Sequence, residues 1–414
     1  MQEYEEKYSC ILILRRVRIL VTAAMLCLCC SSVVLADKKK EPELEEFYNP
    51  LEITTPDPLL PYSVEERPLT PLERLRLTAA LEQLNQQAAA KLAAGDRLGA
   101  FEIWNRELRL RRSLGYLEEV KALSRVGAIA WSENQRLEVQ VITQRLQEIQ
   151  QQTKLQPEID LQLLQSLGVA FEQVRSLKPA IEVYQQILAA ARQRQDQVAV
   201  EATLKTIAEL HLSWFEYPQA AASYEELLSL ARAKSDRASE ITYLQDLAYV
   251  YRQANNPQKA VEVREKLAEF YLNEDQFTQI PALRIAIGGD YESLGQLKNA
   301  FQNYQEAYAS AWSLGQYARA GSALRNLIAL YRSQKQIDAA LETSKILLEA
   351  DQLATNVYGM MTTYDQIGQI YLERTNYSEA LAAFQKGLEL AKQLNYQEDY
   401  FTKQIEQANQ QLAK

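Results

Sequence analysis

One histidine, His211, and four cysteines, Cys10, Cys27, Cys29 and Cys30, are the whole supply of imidazole and thiol in 414 residues. A serine triad needs a histidine beside its nucleophile, thiol catalysis needs an activated cysteine, and zinc sites draw on several of either. Because every cysteine lies before residue 31, the remainder has no thiol for a disulfide, a metal or an attack on substrate. Carboxylates are abundant, so paired-carboxylate hydrolysis stays open on composition, yet no two are marked out by position. Glu262, Glu265 and Glu269 share one helical face and precede Asn273-Glu274-Asp275. Such oxygen donors suit manganese, calcium or magnesium, and a solvated charged face is the alternative reading. Gly288-Gly289 falls inside a predicted helix and is no phosphate cradle, and there is no Walker-type loop. The expectation is a protein without catalysis and without a required cofactor, manganese or calcium being the candidates if one binds. A formal net charge of -9 argues against a grip on nucleic acid, whose affinity comes largely from clustered Lys and Arg.

The elements that would position these groups are set by a repeat. Tyr371, Tyr331, Tyr291 and Tyr251 stand 40 residues apart, and the same step reaches His211, Phe171 and Trp131. Three residues before each comes a small residue: Gly368, Gly288, Ala248, Ala208, Gly168 and Ala128, with Ile328 as the exception. Nine after each comes alanine, at 380, 340, 300, 260, 220 and 180, with Ala100 in the first unit and Gln140 breaking the series. Four further on stand Phe384, Tyr304, Tyr224, Tyr184 and Trp104, while Arg264 and Ser344 depart. This is the pattern of two antiparallel helices that approach closely at the small residue and fill the space beside it with a ring. His211 occupies one of the aromatic slots, which assigns it to packing. In the second unit Leu123, Val126, Gly127 and Ala130 carry the slots shifted by one.

The pattern resembles the tetratricopeptide repeat, which places W-x2-L-G-x2-Y in one helix and A-x3-F in the next. The resemblance spans about residues 75–400 and implies an all-α solenoid of about eight helical hairpins with a C-terminal capping helix. The period of 40 exceeds the family's 34, so helices or linkers must be longer. The resemblance also implies a concave groove lined by the first helix of each pair. Helical periodicity then points Thr242, Gln245, Tyr249 and Arg252, Ala282, Ile285, Gly289 and Glu292, and Ser322, Arg325, Ala329 and Arg332 into it. Gly289 is unforced by the repeat, so a side chain or a ligand comes close to it. Arg252, Arg325 and Arg332 beside small residues would clamp carboxylates of a protein partner or peptide segment, surface ion pairing being the other reading. The Lys–Asn arrangement by which some relatives hold a chain-terminal carboxylate is not reproduced, since Lys205 is followed by Glu209.

The flanks complete the organisation. Residues 1–36 read as a signal peptide or N-terminal anchor: Arg15, Arg16 and Arg18, an apolar run from Ile19, and a Val34-Leu35-Ala36 ending. Contact with a membrane is expected only through this segment, if it is uncleaved. Residues 37–74, holding most of the twelve prolines, read as a flexible Pro/Glu-rich linker, and residues 75–414 as the superhelix. This layout resembles periplasmic repeat factors that serve photosystem II assembly, which implies binding to a reaction-centre subunit and handling of manganese. The expectation is a periplasmic adaptor acting in assembly or maturation. The rival is a structural scaffold of a cell-envelope or secretion machine, held by an uncleaved N-terminal helix.

Overall fold

A computed structural model describes residues 49–413 except 54, 62–66 and 157–159. The signal segment, all four cysteines and Pro157, expected in a first helical turn, lie outside the described residues. Among those residues there are α-helices and two short 3-10 turns, with no strand. In chain order the helices are α1 Pro71–Ala93, α2 Arg97–Arg111, α3 Tyr116–Ser132, α4 Arg136–Lys154, α5 Leu161–Gln173, α6 Leu177–Gln193, α7 Gln197–Ser213 and α8 Tyr217–Ala233. They continue as α9 Arg237–Gln253, α10 Pro257–Asn273, α11 Ile280–Ser293, α12 Leu297–Ser313, α13 Tyr317–Ser333, α14 Ile337–Leu353, α15 Val357–Glu373, α16 Tyr377–Leu394 and α17 Glu398–Leu412. Pairing consecutive helices from α1 gives eight hairpins, and α17 covers the last.

The long period has a simple origin. From α7 to α10, and again from α12 to α15, each helix has 17 residues, and three residues join it to the next except after α10, where residues 274–279, with a 3-10 turn at Phe277–Gln279, lead to α11. Each turn is a Schellman cap: in α9 the Asn255 amide donates to the Arg252 carbonyl and the Asn256 amide to that of Tyr251. The residue at the left-handed position recurs every 20 residues from Arg175 to Asn395. It is glycine at 295 and 315, where positive φ costs nothing, and elsewhere Asn, Asp, Gln, Ser, Thr, Lys, Arg or Phe. The expected turns at Asn256-Pro257, Gly295-Gln296, Ser333-Gln334 and Asn376 all fall between paired helices.

Packing follows the slots. The alanines at 100, 180, 220, 260, 300, 340 and 380 are all fully buried. A Cβ on Gly168 would lie 2.8 Å from Tyr184, and on Gly288 or Gly368 2.5 Å from Tyr304 or Phe384, so the bare backbone is what admits each ring. The hairpin with the large Ile328 in the small slot is the one with Ser344 in the ring slot, which conserves volume. In the second unit the register does shift: Leu123, Val126, Gly127 and Ala130 are buried and Trp131 is half exposed. His211 is largely buried, with Nδ1 2.7 Å from Glu216 Oε2, as expected of a packing residue.

The N-terminal boundary differs from the expectation. α1 begins at Pro71, not 75, because Thr70 and Glu73 form a reciprocal capping box. Where it is described, the linker is docked on α2 and does not run free. Leu51 is buried, Asp57 accepts from Arg106 at 2.7 and 3.0 Å, and Arg109 Nη1 donates to the Pro50 carbonyl. Leu59 and Leu60 pack on Leu77, Leu81 and Leu110.

Candidate peptide-binding groove

The first helices of hairpins five to seven, α9, α11 and α13, present the side chains that periodicity assigns to the groove. Thr242, Gln245, Tyr249 and Arg252 are exposed along one face of α9, and Ala282 and Glu292 along α11. Ser322, Ala329 and Arg332 do the same on α13. Two depressions meet at Arg252. One of about 350 Å³ runs to Ala282, Gly289, Ser293 and Asn326, and one of about 510 Å³ runs to Gln245, Tyr249, Tyr271 and Gln279. Gly289 faces the first of them, with only Tyr304 Oη as near as 3.7 Å to where its Cβ would be. Among the described residues neither the Arg252 nor the Arg332 guanidinium has an ion-pair or hydrogen-bond partner.

Arg325 is a correction. Its Nη2 donates at 2.7 Å to Oδ1 of Asp351, a fully buried carboxylate that also accepts from Asn356 Nδ2 at 2.8 Å. Gly321 and Gly359 leave the space for Asp351. Arg325 therefore compensates a charge inside the array, and removing it would strand that charge. Two of the three carboxylates named as metal candidates have protein partners. Glu265 is bonded by Arg284 at 3.0 Å, a guanidinium that reaches Glu306 as well, and Glu262 accepts from Gln258. With Glu265 neutralised by a cation, these donors do not fit manganese or calcium, and among the described residues no three carboxylate, His or Cys groups converge.

Polar partners missed in the sequence obey a spacing of their own. Arg264, the departure from the ring slot, is buried against Asp290 of α11, 26 residues on. The same step joins Arg325 to Asp351, Gln245 to Tyr271, Glu225 to Tyr251 and Glu119 to Arg145. One helix-plus-turn is 20 residues, so a step of 26 carries each side chain onto the next helix, and a scan for polar complements at that step would have found them. Burial and the adjacent carboxylate push Tyr251 and Tyr304 well above the usual phenol range, which keeps both as neutral donors to Glu225 and Glu292.

A family model described as tetratricopeptide repeat matches residues 319–393, the last two hairpins. Residues 319–393 are similar to tetratricopeptide repeats. No curated protein matches the chain. Solved structures similar to this tetratricopeptide array include BtubC from P. vanneervenii, at 20% identity and TM-score 0.38 over 53% of this chain and 92% of that one. The apo form of RapI is similar at 10% identity and TM-score 0.38, over 81% and 98%. A signal-transduction ATPase with a tetratricopeptide sensor from Pyrococcus horikoshii is similar at 15% and 0.37, over 81% and 49%.

Proposed function

We propose that the chain is an exported adaptor whose concave groove between residues 242 and 332 takes an extended, carboxylate-bearing segment of a protein partner, in the service of assembly or maturation outside the cytoplasmic membrane. The observation that carries the reading is Arg252, an exposed guanidinium without a protein partner, set between two depressions in a chain of net charge -9. Tyr249 offers a half-exposed ring beside it, and Ala282, Ile285 and Gly289 leave room for a main chain to pass. Arg332 supplies a second exposed cation two hairpins along. Export rests on the sequence of residues 15–36 alone. A photo-crosslinker placed at Ala282 identifies the bound segment, and calorimetry then compares wild type with Arg252→Ala/Arg332→Ala. Hydrogen bonds to charged groups contribute about 1.5–3 kcal/mol each, so affinity falls at least about tenfold while the helical fold is kept. Equal affinities would place the site elsewhere on the solenoid.

A further inference from the structure

The interface between the first two hairpins holds a cluster of buried polar groups. Glu107 on α2 is fully buried and bonded by Arg125 of α3 at 2.8 Å and by Arg111 at 2.9 Å. Glu119 on α3 is bonded by Arg145 of α4 at 2.7 Å and by Arg112 at 3.2 Å. Each of these carboxylates has two guanidinium partners, as a buried charge requires. The third carboxyl in this interface, Glu138 in the first turn of α4, has none. Its Oε1 accepts from Nδ2 of the buried Asn105 on α2 at 3.1 Å. Its Oε2 is buried without a donor, and so is Oδ1 of the same Asn105.

Two groups already joined by one hydrogen bond thus each keep an orphaned acceptor. Turning the amide over exchanges its bonded and orphaned atoms and supplies no second donor, so an acceptor on each group still goes unmet. One proton on Oε2 satisfies both. The acid then donates O–H to Asn105 Oδ1 while the amide donates N–H to Oε1, closing a two-bond ring.

We propose that Glu138 is protonated in the folded chain and that its acid–amide ring with Asn105 is a proton-sensitive latch between the first and second hairpins. Charged side chains on these helices are otherwise engaged or exposed. On α2, Arg106 is held by Asp57, and Glu107 by Arg111 and Arg125. On α3, Glu119 is held by Arg112 and Arg145, and Glu133 by Arg97. On α4, Arg136 is exposed. Burial pushes the Glu138 carboxyl above the usual glutamate range, opposed by the Asn105 bond and by the positive end of α4. Because the folded chain holds this proton more tightly than the unfolded one, the latch is whole below the free-glutamate pKa of about 4.3. It is lost as pH rises through the folded pKa.

Infrared titration of the full chain tests the proton directly. Wild type should show a protonated carboxyl band that persists above the free-glutamate range and is missing in Glu138→Gln. Glutamine keeps both bonds without titrating, so the melting temperature of Glu138→Gln should not share the decline that wild type shows as pH rises through that band's titration. Glu138→Ala should melt below both at acid pH. The latch is refuted if wild type and Glu138→Gln carry the same carboxyl band at every pH, or if the glutamine variant melts as low as the alanine variant.

Discussion

Adjacent glycines in α11 should answer one substitution with opposite signs. An alanine inside a helix is worth about 0.5–1 kcal/mol over glycine. At Gly289 the new Cβ would sit 3.7 Å from Tyr304 Oη, an ordinary contact, so Gly289→Ala keeps the whole gain. At Gly288 it would sit 2.5, 2.7 and 2.9 Å from three carbons of the Tyr304 ring. That ring is 1% exposed and its hydroxyl donates to Glu292 at 2.6 Å, so it cannot step aside without breaking that bond. Overpacking of this kind costs about 1–3 kcal/mol, which separates the two variants by the same amount and leaves Gly288→Ala neutral to destabilising by about 2 kcal/mol. Urea unfolding followed by helical circular dichroism ranks the midpoints. Long repeat arrays lose all-or-none behaviour, so amide hydrogen exchange in α11 and α12 supplies the local reading. If Gly288→Ala proves as stable as Gly289→Ala, the pairing of α11 with α12 through the bare backbone at 288 is wrong.

Arg264→Ala should strand Asp290 and cost about 3–5 kcal/mol, whereas Arg264→Tyr with Asp290→Leu restores the residues usual at those slots and should be at least as stable as wild type by thermal melting. An Arg264→Ala variant that melts like wild type would deny the pair. Arg106→Ala should expose the docked segment around residues 49–61 to limited proteolysis. Arg106 also holds the Asp57 carboxyl below the usual range, so this anchor stands above the free-aspartate pKa of about 3.9 and weakens as pH falls through the folded pKa. Cleavage there that is equal in wild type and variant at neutral pH would show that the Arg106 bond does not hold the segment.

What the sequence made legible was whatever repeats. Alanine at one slot and a small residue facing a ring at two others are imposed by backbone approach, which is the same in every unit, so a 40-residue comparison exposes them. Even the departures, Arg264, Ser344 and Ile328, were visible as breaks in phase. Their consequences were not, because the partners that resolve them sit on neighbouring helices at another spacing and are reached by long side chains with several rotamers. Arg325 shows the cost of that gap. Its place on α13 could be read from the helical period, but Asp351 reaches it from α14, and no reading of α13 alone reveals a buried carboxylate behind it. The docking of Leu51 and Asp57 was hidden for a related reason. Pro-rich composition forecasts an extended backbone, and an extended backbone can lie against a helix as well as in water.

Covered ends give the array a definite length. A stack of like units is complementary to itself, head to tail, and pairing of that kind does not close but grows into a filament. Here α1 turns Glu82, Gln83, Gln86 and Gln87 to solvent at one end, and α17 turns Lys403, Glu406, Gln407 and Gln410 outward at the other. Phe401 and Ala408 of α17 are buried against the last hairpin, so the apolar face that another copy would seek is already occupied from within. The last hairpin of the described array is therefore closed by the chain's own helix.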